Sequence, residues 1–311
     1  MQDKRIPVIL DTDIGGDIDD TWALAMLLKS PELDVKLVCS DTGHAVYRAS
    51  IIAKMLEVAG RTDVPVGLGL NFSNTDGASD FSRFPQGPFV ADYDLSTYPG
   101  TVHEDGVGAI IDTIMNSPEP VTLLCIGPVP NIGEALEREP RIAENARFVG
   151  MHGSVYKGYG GKPEISAECN VVNHTAACQK AFTAAWDMVI TPLDTCGLVV
   201  LRDEKYQKVR HCKDPVIQAL MENYKVWSEK RAENQDRPRP NMFDKRSSTL
   251  FDTVAIYLAF ADALCVMKEM GIRVTDDGYT VPDENAKRMR VAIDWKDLGA
   301  FEDFLVERLA G

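Results

Sequence analysis

Short apolar runs alternate with longer amphipathic stretches along most of the chain, a rhythm that predicts strand, loop and helix in repetition. IPVIL (6–10) reads as a buried strand, and TWALAMLLKS (21–30) as a helix stopped by Pro31. VKLVCS (35–40) is a second strand, followed by a helix over 46–59 that ends at Gly60. VPVGLG (64–69) is short and extended, and residues 70–105, rich in Gly, Pro, Ser and Asp, read as a long loop region. Helices are expected over 106–117, 131–139 and 174–184, and strands over 121–126, 147–151 and 188–192. A long amphipathic helix over 215–234 precedes a Pro- and Arg-bearing loop at 235–248. The apolar run 253–267, interrupted by Asp262, reads as a buried helix beginning near Leu250. The tail, IRVTDDGYTV followed by RMRVAI, carries a DG turn and predicts antiparallel strands. No internal repeat is visible.

Composition narrows the function classes. Across 311 residues, 47 Asp and Glu outweigh 33 Lys and Arg, a formal charge of −14. That balance argues against nucleic acid as a partner, because phosphate binding needs clustered cations. No run reaches the roughly 20 apolar residues of a membrane span, and MQDKR passes straight into an apolar strand, leaving no room for a signal-peptide core. Seven cysteines form no CxxC pair; Cys39, Cys125 and Cys265 sit in apolar runs as small hydrophobes. A reducing cytoplasm is the expected compartment.

Strands that alternate with helices pair in parallel, and such sheets bind ligands at the carboxyl ends of their strands. Acidic residues stand there. The loop after the first strand reads DTDIGGDIDD (11–20), five carboxylates in ten residues. Helix capping accounts for one or two of them. The full set is self-repelling without a cation, which points to a hard-cation site, with Gly15 and Gly16 letting the backbone fold inward.

An Asp-x-Asp after an apolar strand also opens the haloacid-dehalogenase phosphatases, but that pattern explains only this first motif. Four motifs in order resemble the nucleoside hydrolase family instead. They are the DxD stretch followed by Asp19–Asp20 ahead of TWALAML, LLCIGPVPNIGEAL (123–136), SAECN (166–170) and FDTVAIYLA (251–259). The resemblance implies an α/β fold: a single domain over 1–311 with a mostly parallel central sheet flanked by helices and an antiparallel extension near the C-terminus. It implies a Ca²⁺ ion held by Asp13, Asp20, the backbone carbonyl of Ile126 and Asp252. Asp13 would double as general base toward a metal-activated water, and Asp19, His44, Glu168 and Asn170 would contact the ribose. The implied reaction is hydrolysis of the N-ribosidic bond of a nucleoside or related riboside. Two further readings stand beside it: hydrolysis of another furanoside from carbohydrate metabolism, and a non-catalytic ribose- or nucleoside-binding homologue. The expected partner is a small ribosyl substrate, with no nucleic acid and no membrane, and a homo-oligomer is carried over from the family.

Several positions depart from the family pattern. SDTGH puts His44 where many members carry Asn; a His can still bond a hydroxyl, and it also suits a helix start. Phe251 stands where pyrimidine- and inosine-cleaving members carry His, and Phe cannot donate a proton. Asp17 lies in what looks like a two-residue insertion, Asp11 is expected to accept backbone bonds around the loop, and Lys162 is nearest by spacing to the usual upstream Asn. His103, His152, Tyr156 and Tyr159 fall in loops expected to face the site, as candidates for the missing acid. Tyr224 and Trp227 have the spacing of a buried stripe, or could stack on a base.

Overall fold

The computed structural model describes residues 5–71, 80–234 and 239–311. The first four residues and parts of the two expected loops, 72–79 and 235–238, lie outside the described residues.

Ten strands form one sheet: β1 (Ile6–Thr12), β2 (Leu33–Ser40), β3 (Val66–Gly67), β4 (Val102–His103), β5 (Val121–Cys125), β6 (Ala146–Met151), β7 (Met188–Thr191), β8 (Cys265–Val274), β9 (Thr280–Pro282) and β10 (Arg288–Trp295). Their order is β4-β3-β2-β1-β5-β6-β7-β10-β8-β9. Every pairing from β4 across to β10 is parallel, and β10–β8 and β8–β9 are antiparallel. The mostly parallel sheet with an antiparallel C-terminal extension is the architecture expected from the alternation of elements. β1 is central because its apolar residues alternate between two covered faces. Leu10 packs with Trp22 and Ile52 on one side, and Ile9 with Leu37, Leu123 and Phe148 on the other. Burying each such side chain contributes roughly 1.5–3 kcal/mol. In register, Asp11 lies beside Cys39 of β2 and Cys125 of β5, so three strands end side by side. The chain segments that follow them meet at one rim.

Helices cover both faces. The helix Asp19–Leu28 is buried from Asp19 to Leu27, which fits its lack of a polar face. Two acids open it, where the helix dipole favours negative charge. The helix Pro215–Glu233 is capped by Asp214, whose carboxylate accepts the N–H of Val216 at 2.9 Å. No described helix is long and apolar enough to cross a membrane.

The helix expected over 253–267 is corrected. It runs only over Thr253–Leu258, and Cys265 begins β8. The chain turns at Asp262, whose carbonyl accepts the Cys265 N–H at 3.0 Å and whose carboxylate pairs with Arg290. Continuous pairing of β8 with β10 supplies partners that the apolar run alone does not reveal, and tertiary context overrides local pattern. The helices Ile142–Asn145, Cys169–Asn173, Asp203–Arg210 and Leu298–Ala310 are further elements the pattern did not single out.

Candidate functional site

The acids after β1 separate into three layers. In the middle, one oxygen each from Asp19, Asp20 and Asp252 lie within 4.8 Å of one another. Asp19 and Asp20 open one helix, and Asp252 immediately precedes the helix Thr253–Leu258. All three are buried. Burial and mutual repulsion hold their carboxyls well above the usual carboxylate range. Thr12 Oγ1 donates to Asp20 Oδ1 at 2.5 Å and orients it. Three like charges cannot remain ionised in such a place without a compensating cation. The donor set is oxygen only, without His or Cys, and so fits a hard divalent ion. Asp13 sits beside this trio at the rim, partly exposed, raised by burial and held back by the Arg48 guanidinium.

Beneath lies a second buried pair, Asp11 and Asp41. The Asn131 amide donates to Asp11 Oδ1 at 2.8 Å and to the Ser40 carbonyl at 3.0 Å, tying the ends of β1 and β2. Asp11 thus takes a side-chain amide rather than the loop backbone bonds expected of it. Asp41 Oδ2 accepts the Val129 N–H at 3.0 Å. Burial and the charge of Asp13 push Asp41 up to about 7. Gly127 is required between them, since a Cβ there would stand 2.9 Å from Asp13 N and 3.0 Å from Asp41 Oδ2.

The outer layer is the stretch 14–17. Its four successive carbonyls each accept a side-chain donor from a different position. Arg48 Nη1 reaches Ile14 at 2.8 Å, Tyr47 Oη reaches Gly15 at 3.0 Å, Trp227 Nε1 reaches Gly16 at 3.2 Å and Gln86 Nε2 reaches Asp17 at 2.6 Å. Gly15 has φ of 104°, and a Cβ on it would meet the Tyr47 ring at 2.6 Å. Asp17 points its carboxylate outward, to Arg231 at 3.4 Å.

On the opposite wall, Glu168 caps the helix Cys169–Asn173. Its Oε1 accepts the Asn170 N–H at 2.8 Å and its Oε2 the Gly153 N–H at 3.0 Å. Burial raises Glu168 to about 7 against these bonds. The Asn170 amide donates to the Ile126 and Met151 carbonyls, both at 3.0 Å, so the carbonyl expected as a metal ligand is engaged by a neighbouring site residue. His44 precedes the helix Ala45–Val58 in the left-handed region at φ 49°, with its ring 4.5 Å from that of Phe84.

The candidates for a missing acid are sorted by position. His152 does not face the site: it is fully buried between Phe148 and Phe182, gives its Nε2 proton to the Gly127 carbonyl, and is lowered to about 4 by desolvation. His103 ends β4 at the sheet edge, and Tyr156 is exposed against Lys268. Lys162 is exposed as well. Tyr159 does face a cavity, edge-on to Phe251 with ring centres 6.1 Å apart. That cavity, of about 620 Å³, opens beside the acidic loop and has Asp17, Trp227 and Phe251 in its walls. Tyr224 is buried as the stripe reading expects, its hydroxyl donating to the Arg246 carbonyl at 2.8 Å.

Sequence reasoning passed over Asp41, Arg48, Gln86 and Asn131. Asp41 carried a signal, an acid directly after an apolar strand. The other three are single polar residues whose partners are distant in sequence.

The family model for inosine-uridine preferring nucleoside hydrolases matches residues 8–302. A probable uridine nucleosidase 2 of Arabidopsis thaliana is 25% identical over 305 residues, covering 94% of this chain and 90% of that protein. The non-specific ribonucleoside hydrolase RihC of Klebsiella pneumoniae is 32% identical over 200 residues, covering 63% of this chain and 64% of that protein. Among solved structures, a plant nucleoside hydrolase superposes with a TM-score of 0.78 at 21% identity, covering 99% of this chain and 100% of that one.

Proposed function

The chain belongs to the inosine-uridine preferring nucleoside hydrolase family, an enzyme family acting on N-ribosidic bonds, and from that premise we propose that it hydrolyses a riboside with the help of bound Ca²⁺. The observation that carries this reading is the convergence of buried Asp19, Asp20 and Asp252 at the strand ends, next to the partly exposed Asp13.

Asp20 and Asp252 would hold the ion, joined by Asp13 and the Ile126 carbonyl; Ca²⁺ suits them because it accepts six to eight oxygens in loose geometry. When bound, the ion would supply Lewis acidity that lowers the pKa of a nearby water and a positive charge that favours the sugar's hydroxyl oxygens. Asp13 takes the proton of the attacking water, and its raised basicity suits that task. Asp19, the third member of the trio, accepts a hydrogen bond from a ribose hydroxyl. Glu168 and Asn170 hold the other side of the sugar, locked in place by the backbone bonds of Gly153 and the carbonyls of Ile126 and Met151. His44 offers a further hydroxyl contact. Carboxylates on both sides of the ring favour the positive charge that develops at C1′ as the bond to the leaving group breaks.

The test is a panel of uridine, inosine, p-nitrophenyl riboside and non-nucleoside furanosides, assayed in EDTA and in millimolar Ca²⁺. Ca²⁺-dependent release of free ribose is the expected result. Preference for a non-nucleoside furanoside would move the protein to carbohydrate metabolism, and binding without turnover would make it a ribose-binding homologue.

A further inference from the structure

The cavity beside the acidic loop has a composition that the hydrolysis of a neutral nucleoside does not call for. In a chain of net charge −14, three arginines line it, Arg231, Arg239 and Arg246, with Asp17 as the one carboxylate among them. Arg239 and Arg246 make no ion pair among the described residues, and the Arg246 side chain has a single long bond, 3.5 Å to the Ser247 carbonyl. Arg231 lies over the Trp227 ring at 4.5 Å and reaches Asp17 only at 3.4 Å. Ser248, on the same wall, has a buried hydroxyl with no partner. Guanidinium groups and a free hydroxyl on one wall are the donors that recognise a carboxylate. Trp227, Tyr159 and Phe251 give the cavity flat apolar faces suited to a planar ring.

The chemistry of departure adds a second line. Phe251 offers no proton to a leaving group. Of the two phenols lining the cavity, Tyr224 gives its proton to the Arg246 carbonyl, while Tyr159 accepts the Cys169 N–H at 3.0 Å and keeps its own proton. Burial pushes the Tyr159 phenol up, away from the range of a useful acid. A neutral base that leaves unprotonated departs as an anion, which is slow. A ring nitrogen that is quaternary in the riboside has no such need.

Resting on the hydrolase reading above, we infer that the leaving group of this site is a planar heteroaromatic ring, cationic while attached to ribose and carrying a carboxylate: an N-ribosyl pyridinium carboxylate. Water oxygen bonds to C1′ as the C1′–N bond breaks. The bonding pair returns to the ring nitrogen, which becomes a neutral pyridine, and the water proton passes to Asp13 and then to solvent. The cationic ring lies against the aromatic lining of Tyr159 and Phe251, on the side of Asp17, and its carboxylate meets Arg246 and Arg239.

The experiment compares kcat/KM of the Ca²⁺-loaded enzyme for nicotinate riboside, nicotinamide riboside, uridine and inosine. The acid and the amide share the cationic ring and differ in the carboxylate. Nicotinate riboside is expected to exceed nicotinamide riboside by about tenfold or more, the worth of one charge-assisted bond, with uridine and inosine below both. The acid-to-amide ratio should fall severalfold in Arg246→Gln and in Arg239→Gln. If neither variant folds, inhibition of the wild-type enzyme by free nicotinate, about tenfold tighter than by nicotinamide, carries the same information. A ratio near one, equal inhibition, or a preference for uridine or inosine overturns this inference and leaves the hydrolase reading standing. No turnover of any riboside overturns both.

Discussion

The indole nitrogen of Trp227 lies 3.2 Å from the carbonyl oxygen of Gly16 and completes a row of four side-chain donors along the acidic loop. One side chain thereby belongs both to the clamp on the acids and to the wall of the neighbouring cavity. Trp227→Phe keeps a ring and removes the donor. The expected cost is about 1 kcal/mol of stability in EDTA, the worth of one such bond, with a severalfold weaker Ca²⁺ titration. Urea unfolding and calorimetry check both. Unchanged Ca²⁺ affinity would mean that the loop does not depend on this donor.

Bound cation should raise thermal stability. At about one hundred times the dissociation constant, linkage stabilises the fold by ~2.7 kcal/mol, which is a shift of several degrees for a chain of this size. Scanning calorimetry in EDTA and in millimolar Ca²⁺ measures it. Identical melting temperatures would remove the ion from Asp13, Asp20 and Asp252. Mg²⁺ is expected to do less, because it demands tighter octahedral geometry.

The same acids set a pH dependence. Glu168 and Asp41 are raised to about 7 in the folded protein, and Asp11, Asp19, Asp20 and Asp252 stand well above their ordinary values. Unfolded, such groups release their protons near pH ~4. The cation-free folded state therefore binds more protons than the unfolded state between about pH 4 and 7. The stability these groups contribute is complete below that window and is lost as pH rises through it. In EDTA the melting temperature should fall between pH 5.5 and pH 8. Saturating Ca²⁺, which replaces the protons, should flatten or reverse the slope. A melting temperature that climbs with pH in EDTA would show that these carboxylates are ionised without help.

Asp13→Ala should lower kcat for any cleaved riboside by about a thousandfold or more, since under the proposed roles it removes a general base and a cation ligand together. Activity near that of the wild type would move the base to another residue.

Gly127→Ala probes the packing of the two carboxylate layers. The new Cβ would stand 2.9 Å from Asp13 N and 3.0 Å from Asp41 Oδ2, closer than side-chain atoms ordinarily approach. A loss of about 1–3 kcal/mol is expected from the overpacking, and kcat should fall with it because Asp13 must shift. Full activity with full stability would show that the rim yields without consequence.

Much of this was legible in the chain. The alternation of apolar runs placed β1, β2, β5, β6 and β7 within about two residues, because a strand covered on both faces must be apolar throughout, whereas the two-residue strand β4 lies inside the stretch 70–105 read as loop. The acids at 11–20 could be found because like charges crowd where a cation or a helix end compensates them, whereas Asp252, alone in FDTVAIYLA, was reached only through the resemblance of that stretch to a family motif. Asp41, Arg48, Gln86 and Asn131 were harder, since each acts on a partner that only the folded sheet brings near, as when Gln86 bonds Asp17. The run 253–267 misled for a related reason: its second half is a strand because β10 pairs with it, and β10 lies further along the chain. His152 showed the opposite error, an ionisable residue in a rim loop whose ring turns into the core.

The place of β10 also bears on how the enzyme comes into being. β10 is inserted between β7 and β8, and its pairing of Arg290 with Val189 joins positions far apart in the chain. Long-range parallel pairing of this kind forms slowly. Until it forms, β7 is an open edge, a template on which another chain can add. The C-terminal strands also hold the wall that carries Glu168: Thr280 of β9 bonds both backbone groups of Ser154, next to the Gly153 whose N–H is given to Glu168. During synthesis and refolding, Asp11, Asp13, Asp19, Asp20 and Asp41 can gather at the ends of β1 and β2 while Glu168 still lacks its support. Acquisition of activity should therefore lag behind the burial of the core, and the interval between them is when the nascent chain is most exposed to aggregation.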